Sequence, residues 1–298
     1  MRICDTEIEC SGRLLKTARL AADGYDFIDS PNKIIEELLH QNPRVDIFTF
    51  AQGLNDPTPR YQYPMEWDNF AALPVSTFEN WWDNQIRSYP RNRARQAGKR
   101  GVTLREVPFS EALVEGIWKV YNECPVRQGR RFRHYGKDLS TVYKEEATFL
   151  ESSVFIGAFL DEELIGFVKL MWDRTRTQAN LMNIISMMRH KDKAPTNALI
   201  AQSVKACADR QIKFLVYQSF SYGKKKPDSI THFKEINGFG QIDVPRYYVP
   251  LTAVGRAALR LGFHHRILDR LPDDLIARVR EFRSRLYNRK LKSVEEAS

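Results

Sequence analysis

The sequence predicts an α/β domain, and three observations predict it. Two apolar runs, VFIGAFL at 154–160 and ELIGFVKLMW at 163–172, flank the turn-like Asp161-Glu162-Glu163, as two strands with a tight connection do. A third run, NLMNIISMM at 180–188, leads through the polar loop RHKDKAP (189–195) into a helical stretch at 196–211, TNALIAQSVKACADRQ. A fourth run, IKFLVYQSF, follows, then a Gly/Lys/Pro loop, a short helical segment ending in Asn237-Gly238-Phe239, and a last run around VPRYYVPL. The order is strand-strand-strand-helix-strand-helix-strand, with one chemically dense loop leading into the central helix.

The chain is long enough, at 298 residues, to bury a sizeable core in one large domain or two small ones. It has no run of eighteen apolar residues, so no transmembrane helix is expected. The opening MRICDTEIEC carries charges where a signal peptide needs an apolar stretch. Cys4, Cys10, Cys124 and Cys207 show no C-x-x-C spacing, which suits a cytoplasmic chain with free thiols.

Residues 1–76 read as a mixed α/β region. RLLKTARLA is a strand or a helix. NKIIEELLHQ is a helix, with Ser30 as N-cap and Pro31 at its first position. VDIFTF reads as a strand, GLNDPTPRYQYP as a loop, and NFAALPV as a further strand. Residues 77–100 are helical with a break near Pro90, and Trp81 and Trp82 are core residues. Arg91, Arg93, Arg95, Lys99 and Arg100 form a basic cluster, either a solvated face or a phosphate-facing one. VTLREV is a strand and SEALVEGIWKVYNE a helix with Leu113, Ile117 and Val120 inward.

Residues 124–138, CPVRQGRRFRHYGKD, are the densest polar stretch. Arg127, Gln128, Arg130, Arg131, Arg133, His134 and Tyr135 fall within one loop, as a substrate-gripping segment requires; an exposed basic loop without a ligand is the alternative. Metal binding is not expected. The six histidines form no H-x-x-x-H, and neither a P-loop nor a G-x-G-x-x-G is present.

Residues 252–298 form a basic helical extension. Eleven Lys/Arg face four Asp/Glu over 252–292, so most of the net charge of +9 sits there. That asymmetry suits an anionic partner, tRNA or an anionic membrane surface, or else a helix packed on the domain. Leu259, Leu261 and Phe263 are expected to be buried.

Four stretches resemble the Gcn5-related N-acyltransferase (GNAT) superfamily, and its FemAB-like branch in particular. FIGAFLDEELIGFVKL is similar to the paired central strands. RHKDKAPTNALIAQSV stands where the superfamily holds the pyrophosphate of its acyl donor. HFKEINGF resembles a terminal helix often written F-Y-x-x-x-G-F. NRARQAGKRGVTLREV resembles the R-x-x-R-x-A-x-K-x-G-V segment of FemAB-like proteins. The resemblance covers roughly residues 78–251 and frames an acyltransferase domain at 77–251 after a degenerate half-domain at 1–76.

The resemblance implies a central mixed, mostly antiparallel sheet with helices on both faces. It implies an N-acyltransferase that moves an acyl or aminoacyl group from acyl-CoA or aminoacyl-tRNA to an amine acceptor, a small molecule or a cell-envelope component. The donor phosphates would lie at Arg189, Lys191, Lys193, Thr196 and Asn197, where the free amides of a helix start bind anions. Arg127, Gln128, Arg131, Tyr135 and Tyr217 would contact the acceptor. Tyr222, His134 and His190 would serve proton transfer. Two features depart from the family. The loop 189–195 has no glycine, and Lys234 stands where many members have a tyrosine that protonates the leaving thiolate. A non-catalytic RNA- or membrane-binding protein that keeps the fold is the alternative.

Overall fold

The structure is a computed structural model that describes residues 1–28, 30–41, 44–127, 129–221 and 229–264. In chain order the strands are β1 (Arg2–Ile3), β2 (Thr6–Ser11), β3 (Thr17–Leu20), β4 (Ile47–Ala51), β5 (Met65–Pro74), β6 (Val102–Val107), β7 (Val126–Arg127), β8 (Arg130–Arg131), β9 (Ser153–Leu160), β10 (Glu163–Trp172), β11 (Gln178–Ser186), β12 (Phe214–Ser219) and β13 (Gly240–Pro250). The helices are α1 (Asn32–Leu39), α2 (Phe78–Asn80), α3 (Ser88–Lys99), α4 (Glu111–Asn122), α5 (Leu139–Glu146), α6 (Pro195–Asp209), α7 (Ser229–Ile236) and α8 (Ala253–Arg260).

Eleven strands form one sheet in the order β1-β2-β3-β4-β13-β5-β12-β11-β10-β9-β6. Neighbours are antiparallel except β3 with β4 and β11 with β12. The sheet is therefore mixed and mostly antiparallel, and helices cover both faces. On one face α4 and α5 bury Ile117, Val120, Tyr121 and Val142 against Phe155 and Phe167. On the other, Leu199, Ile200 and Val204 of α6 meet Ile156, Ile165 and Val168. Strands β9 and β10 are apolar on both faces because both faces are covered. Asp161 makes the turn between them in the left-handed region, at φ +52.

Strand β13 inserts between β4 and β5. One continuous sheet thus runs through both the 1–76 and 77–251 segments. RLLKTARLA resolves into a turn and β3. The helix start at Ser30 shifts by one residue: Pro31 is the N-cap of α1, without a side-chain cap. The break expected near Pro90 falls earlier. Trp81–Gln85 form a π-helical turn, Ile86 is extended, and Pro90 sits in the first turn of α3, where a missing N–H costs nothing. Trp81 is fully buried and donates from Nε1 to the Asn237 carbonyl at 2.9 Å.

After β13, Thr252 caps α8 through the Gly255 amide. Leu261 and Phe263 are exposed at 65% and 56%, against the expectation that they are buried. The remainder of the basic extension, from 265 onward, lies outside the described residues. Among the described residues no helix is long and apolar enough to cross a membrane, and no group of side chains could hold a metal ion. All four cysteines are unpaired.

Candidate active site

Strands β11 and β12 pair over three positions only, from Gln178 with Phe214 to Asn180 with Val216. Past that point they part. β11 continues to Ser186 with β10 as its partner. β12 bends at Gln218, which takes φ +44, and rejoins β5 at Ser219 opposite Phe70. Among the described residues no strand pairs with the β11 edge beyond Asn180, which leaves a gap, the opening, between the two strands. A bulge lies at the same level: Lys169 pairs with Asn183 and Leu170 with Leu181, so Met182 has no partner. Such a bulge turns the backbone of the strand and re-aims its polar groups. On the α6 side, Ile184, Ala201, Tyr217, Phe220 and Phe233 are partly buried and pack against the core.

The crossover between the parted strands brings the start of α6 to the open end. Ser186 Oγ lies 2.6 Å from Thr196 Oγ1. Ala194 ends the preceding loop in the left-handed region (φ +56), and α6 has no side-chain cap. Its first-turn amides, those of Thr196 and Asn197, therefore stand at the mouth of the opening with the positive end of the helix dipole.

The loop before α6 is a 3-10 turn, Met188–Lys193, tied down from both sides. The Glu123 carboxylate accepts from the amides of Met188 and Arg189 at 3.1 and 2.9 Å. Arg93 of α3 donates to the Lys191 carbonyl at 2.7 Å, and Arg100, the C-cap of α3, to the Asp192 carbonyl at 2.5 Å. Two members of the basic cluster thus hold this loop. The Arg189 side chain pairs with Glu163, and His190 Nε2 lies 3.4 Å from the same carboxylate. Lys191 is exposed, and Lys193 lies 3.4 Å from Asp192. Of the five residues expected at the donor phosphates, Thr196 and Asn197 stand at the helix start and the others on the outer turn.

The 124–138 loop packs on the opposite face of the sheet, and part of it is the hairpin β7–β8. Arg127 is held by the structure itself. It donates to the Ser186 carbonyl at 2.8 Å and the Val120 carbonyl at 3.1 Å, and its guanidinium carbon lies 4.2 Å from the Phe132 ring centre. Arg131 is exposed and Tyr135 half-buried. Tyr217, on the α6 side, is not brought together with these residues: it lies under the Lys234 ammonium at 4.7 Å and edge-on to Phe239. Lys234 is itself buried and donates to the Ser219 carbonyl at 2.5 Å. Gln128 and Tyr222 lie outside the described residues.

His134 is buried and stacked on Tyr121, ring centres 4.2 Å apart. Arg133 Nε donates to its Nε2 at 2.8 Å, and Lys137 Nζ lies 3.2 Å from Nδ1. Burial, with those two cations beside it, pushes the imidazole down to about 3. It is neutral near pH 7.

Two groups escaped the reading of the sequence. Glu146 is buried on α5 and accepts from Tyr121 Oη at 2.8 Å and Asn183 Nδ2 at 3.0 Å, both on Oε1. Its Oε2 has no partner, and burial raises its pKa. Asn183 adjoins the Met182 bulge, so one side chain links this acid to the bulged part of β11. Its spacing of four from the buried Val142 was the available signal, because it puts the carboxylate on the inward stripe of the helix. Tyr25 is the second. Asn180 Nδ2 donates to its carbonyl at 3.1 Å, and Gln218 donates to its hydroxyl. The N-terminal segment thereby covers the point where β11 and β12 part.

No family model matches this sequence, and neither does any curated protein. Solved structures do. One is the C-terminal domain of a protein named as a lysylphosphatidylglycerol synthetase from Agrobacterium fabrum, at 12% identity and TM-score 0.55, covering 85% of this chain and 83% of that one. Another is L-PGS from Bacillus licheniformis, at 13% identity and TM-score 0.57, covering 87% and 86%. FemX is similar at 11% identity and TM-score 0.49, covering 79% and 72%.

Proposed function

From the GNAT-like fold of this chain, we propose an N-acyltransferase that moves an acyl or aminoacyl group from acyl-CoA or aminoacyl-tRNA to an amine acceptor. The parting of β11 and β12 at the start of α6 carries this reading. It supplies an unpaired strand edge beside an uncapped helix N-terminus, and amide-forming transfer needs little more. The donor carbonyl is polarised by backbone amides, the donor's anionic end is held by the helix start and nearby lysines, and the amine approaches in line. No covalent nucleophile is required.

In this reading the donor enters on the α6 side, with Thr196, Asn197, Lys191 and Lys193 around its phosphates and Ile184 and Tyr217 along its arm. The acceptor approaches from the face of the 124–138 loop, toward Arg131, Tyr135 and Tyr25. His134, held neutral, forms part of the acceptor wall. Tyr222, just past β12, is the proposed proton donor to the leaving group. The turn before α6 has its first amides filled by Glu123 and two carbonyls filled by arginines. That leaves little room to cradle a diphosphate and favours an aminoacyl ester of tRNA over coenzyme A. One of the similar structures is named as a lysylphosphatidylglycerol synthetase domain, a name that suits aminoacyl transfer.

The same filled loop favours a second reading, a non-catalytic RNA- or membrane-binding protein. A thermal-shift screen with acyl-CoA species and aminoacyl-tRNA separates them. A donor at about a hundred times its dissociation constant stabilises the fold by roughly 2.7 kcal/mol. Stabilisation by charged but not uncharged tRNA, or by an acyl-CoA, supports the transferase. Equal stabilisation by charged and uncharged tRNA, with no turnover, supports the binding protein.

A further inference from the structure

We infer that Glu123 and Arg127 form a bracket that sets the donor loop and the acceptor hairpin in one register, with Glu123 as a positioning residue. Its consequence for catalysis rests on the transferase reading above; the bracket itself rests on geometry.

Glu123 is the C-cap of α4, a rigid support. That helix lies close against β10 at Gly116, where an added Cβ would come within 2.8 Å of the Leu164 side chain. Its inward residues Ile117, Val120 and Tyr121 are fully buried. From this fixed end the Glu123 carboxylate reaches across and accepts the first two amides of the turn before α6, one on each oxygen. Two hydrogen bonds to one carboxylate fix both the position and the rotation of that turn.

Arg127 completes the bracket from the hairpin. Its guanidinium lies 3.8 Å from the Glu123 carboxylate, and both side chains are largely buried, at 16% and 10% exposure. One amino group holds the Ser186 carbonyl at the end of β11, and the other holds the Val120 carbonyl in the last turn of α4. A cation there also meets the negative end of the helix dipole. Ser186 continues the connection to Thr196 and the first turn of α6. Hairpin, strand end, turn and donor helix thus meet at two oppositely charged side chains. A shift of the hairpin on acceptor binding is transmitted to the turn beside the donor.

The test is amide hydrogen exchange by mass spectrometry on the full chain, comparing the parent with Glu123→Gln and Arg127→Met. Glutamine keeps the shape but offers one acceptor where two amides need one each. Exchange in 187–194 and in 124–135 should speed up together, by roughly tenfold or more for the loss of a charge-assisted bond, while β9 and β10 stay protected. Acceleration in only one segment, or in neither, overturns the bracket. So does acceleration spread over β9 and β10, which would make the pair a general stabiliser. Titration with acetyl-coenzyme A and a hydrolysis-resistant aminoacyl-tRNA supplies the functional half. Glu123→Gln should weaken whichever probe the parent binds and raise the donor KM more than it lowers kcat. Coupled exchange in a chain that binds neither probe leaves the bracket standing and overturns the transferase reading.

Discussion

The hydroxyls of Ser186 and Thr196, 2.6 Å apart, join the last residue of the open strand to the first turn of the helix beside it. The contact closes residues 187–195 into a ring and holds the mouth of the opening at a fixed width. Ser186→Ala should cost about 1 kcal/mol, the net worth of one hydrogen bond, and Thr196→Val a similar amount. The double variant should cost less than the sum, because both changes remove the same bond. Denaturant unfolding of the three variants checks this; full additivity would show that the contact contributes nothing.

Ala194 holds a left-handed conformation that suits glycine. Ala194→Gly relieves a strain of about 1–2 kcal/mol and adds back about 0.4–1 kcal/mol of unfolded-state entropy. The variant should be more stable than the parent by up to about 1.5 kcal/mol. Ala194→Val, with a branched side chain, should be less stable than the parent. The two melting temperatures, read against the parent, decide the matter.

His134 and Glu146 make opposite contributions to stability against pH. The imidazole is pushed down from 6.5 to about 3, so between those values the unfolded chain binds a proton that the folded chain refuses. Stability from this group is full above about 6.5 and is lost as pH falls toward 3. Glu146 is raised above its ordinary 4.5, so its contribution is full below that value and is lost as pH rises through the raised one. His134→Gln should flatten the acid side of the stability curve. Glu146→Gln should gain on the parent as pH rises above 4.5. Unfolding free energies measured across a pH series read both slopes, and a parallel shift of either variant would contradict the assignment.

Lys234 is fully buried, yet its ammonium is satisfied by the Ser219 carbonyl and the Tyr217 ring. Lys234→Met keeps the stem and leaves that carbonyl without its charged donor. It should destabilise the chain by about 1–3 kcal/mol. An unchanged melting temperature would show that water replaces the ammonium at no cost.

The sequence made the local elements legible because periodicity and turn residues report burial along one stretch of chain. The β9–β10 hairpin and the helix after residue 195 are found where those signals point, and the mixed sheet is the one the family resemblance implies. Partners distant in sequence were not legible. Nothing in VPRYYVPL tells that β13 lies between β4 and β5, and nothing in the N-terminal segment tells that Tyr25 covers the opening. Conformation was hidden where the residue type gives no cue: Ala194 and Gln218 are left-handed without being glycine. Glu123 reads as an ordinary helix-end acid, and its role emerges only once the loop 65 residues later folds onto it. Arg127 reads as a ligand-gripping side chain because a sequence cannot show that backbone carbonyls already engage it.

In the proposed reaction an acyl or aminoacyl donor enters the opening between β11 and β12. The most direct test is photo-crosslinking with donor probes, acyl-CoA and aminoacyl-tRNA, that carry a photoreactive group on the acyl chain, followed by peptide mapping. Adducts are expected on 182–186 of β11 and on 194–201 at the start of α6, competed away by the unmodified donor. Adducts confined to the outer face of α3 or to the groove that Trp118, Asn122 and Leu139 line between α4 and α5, or none at low salt, would contradict this placement.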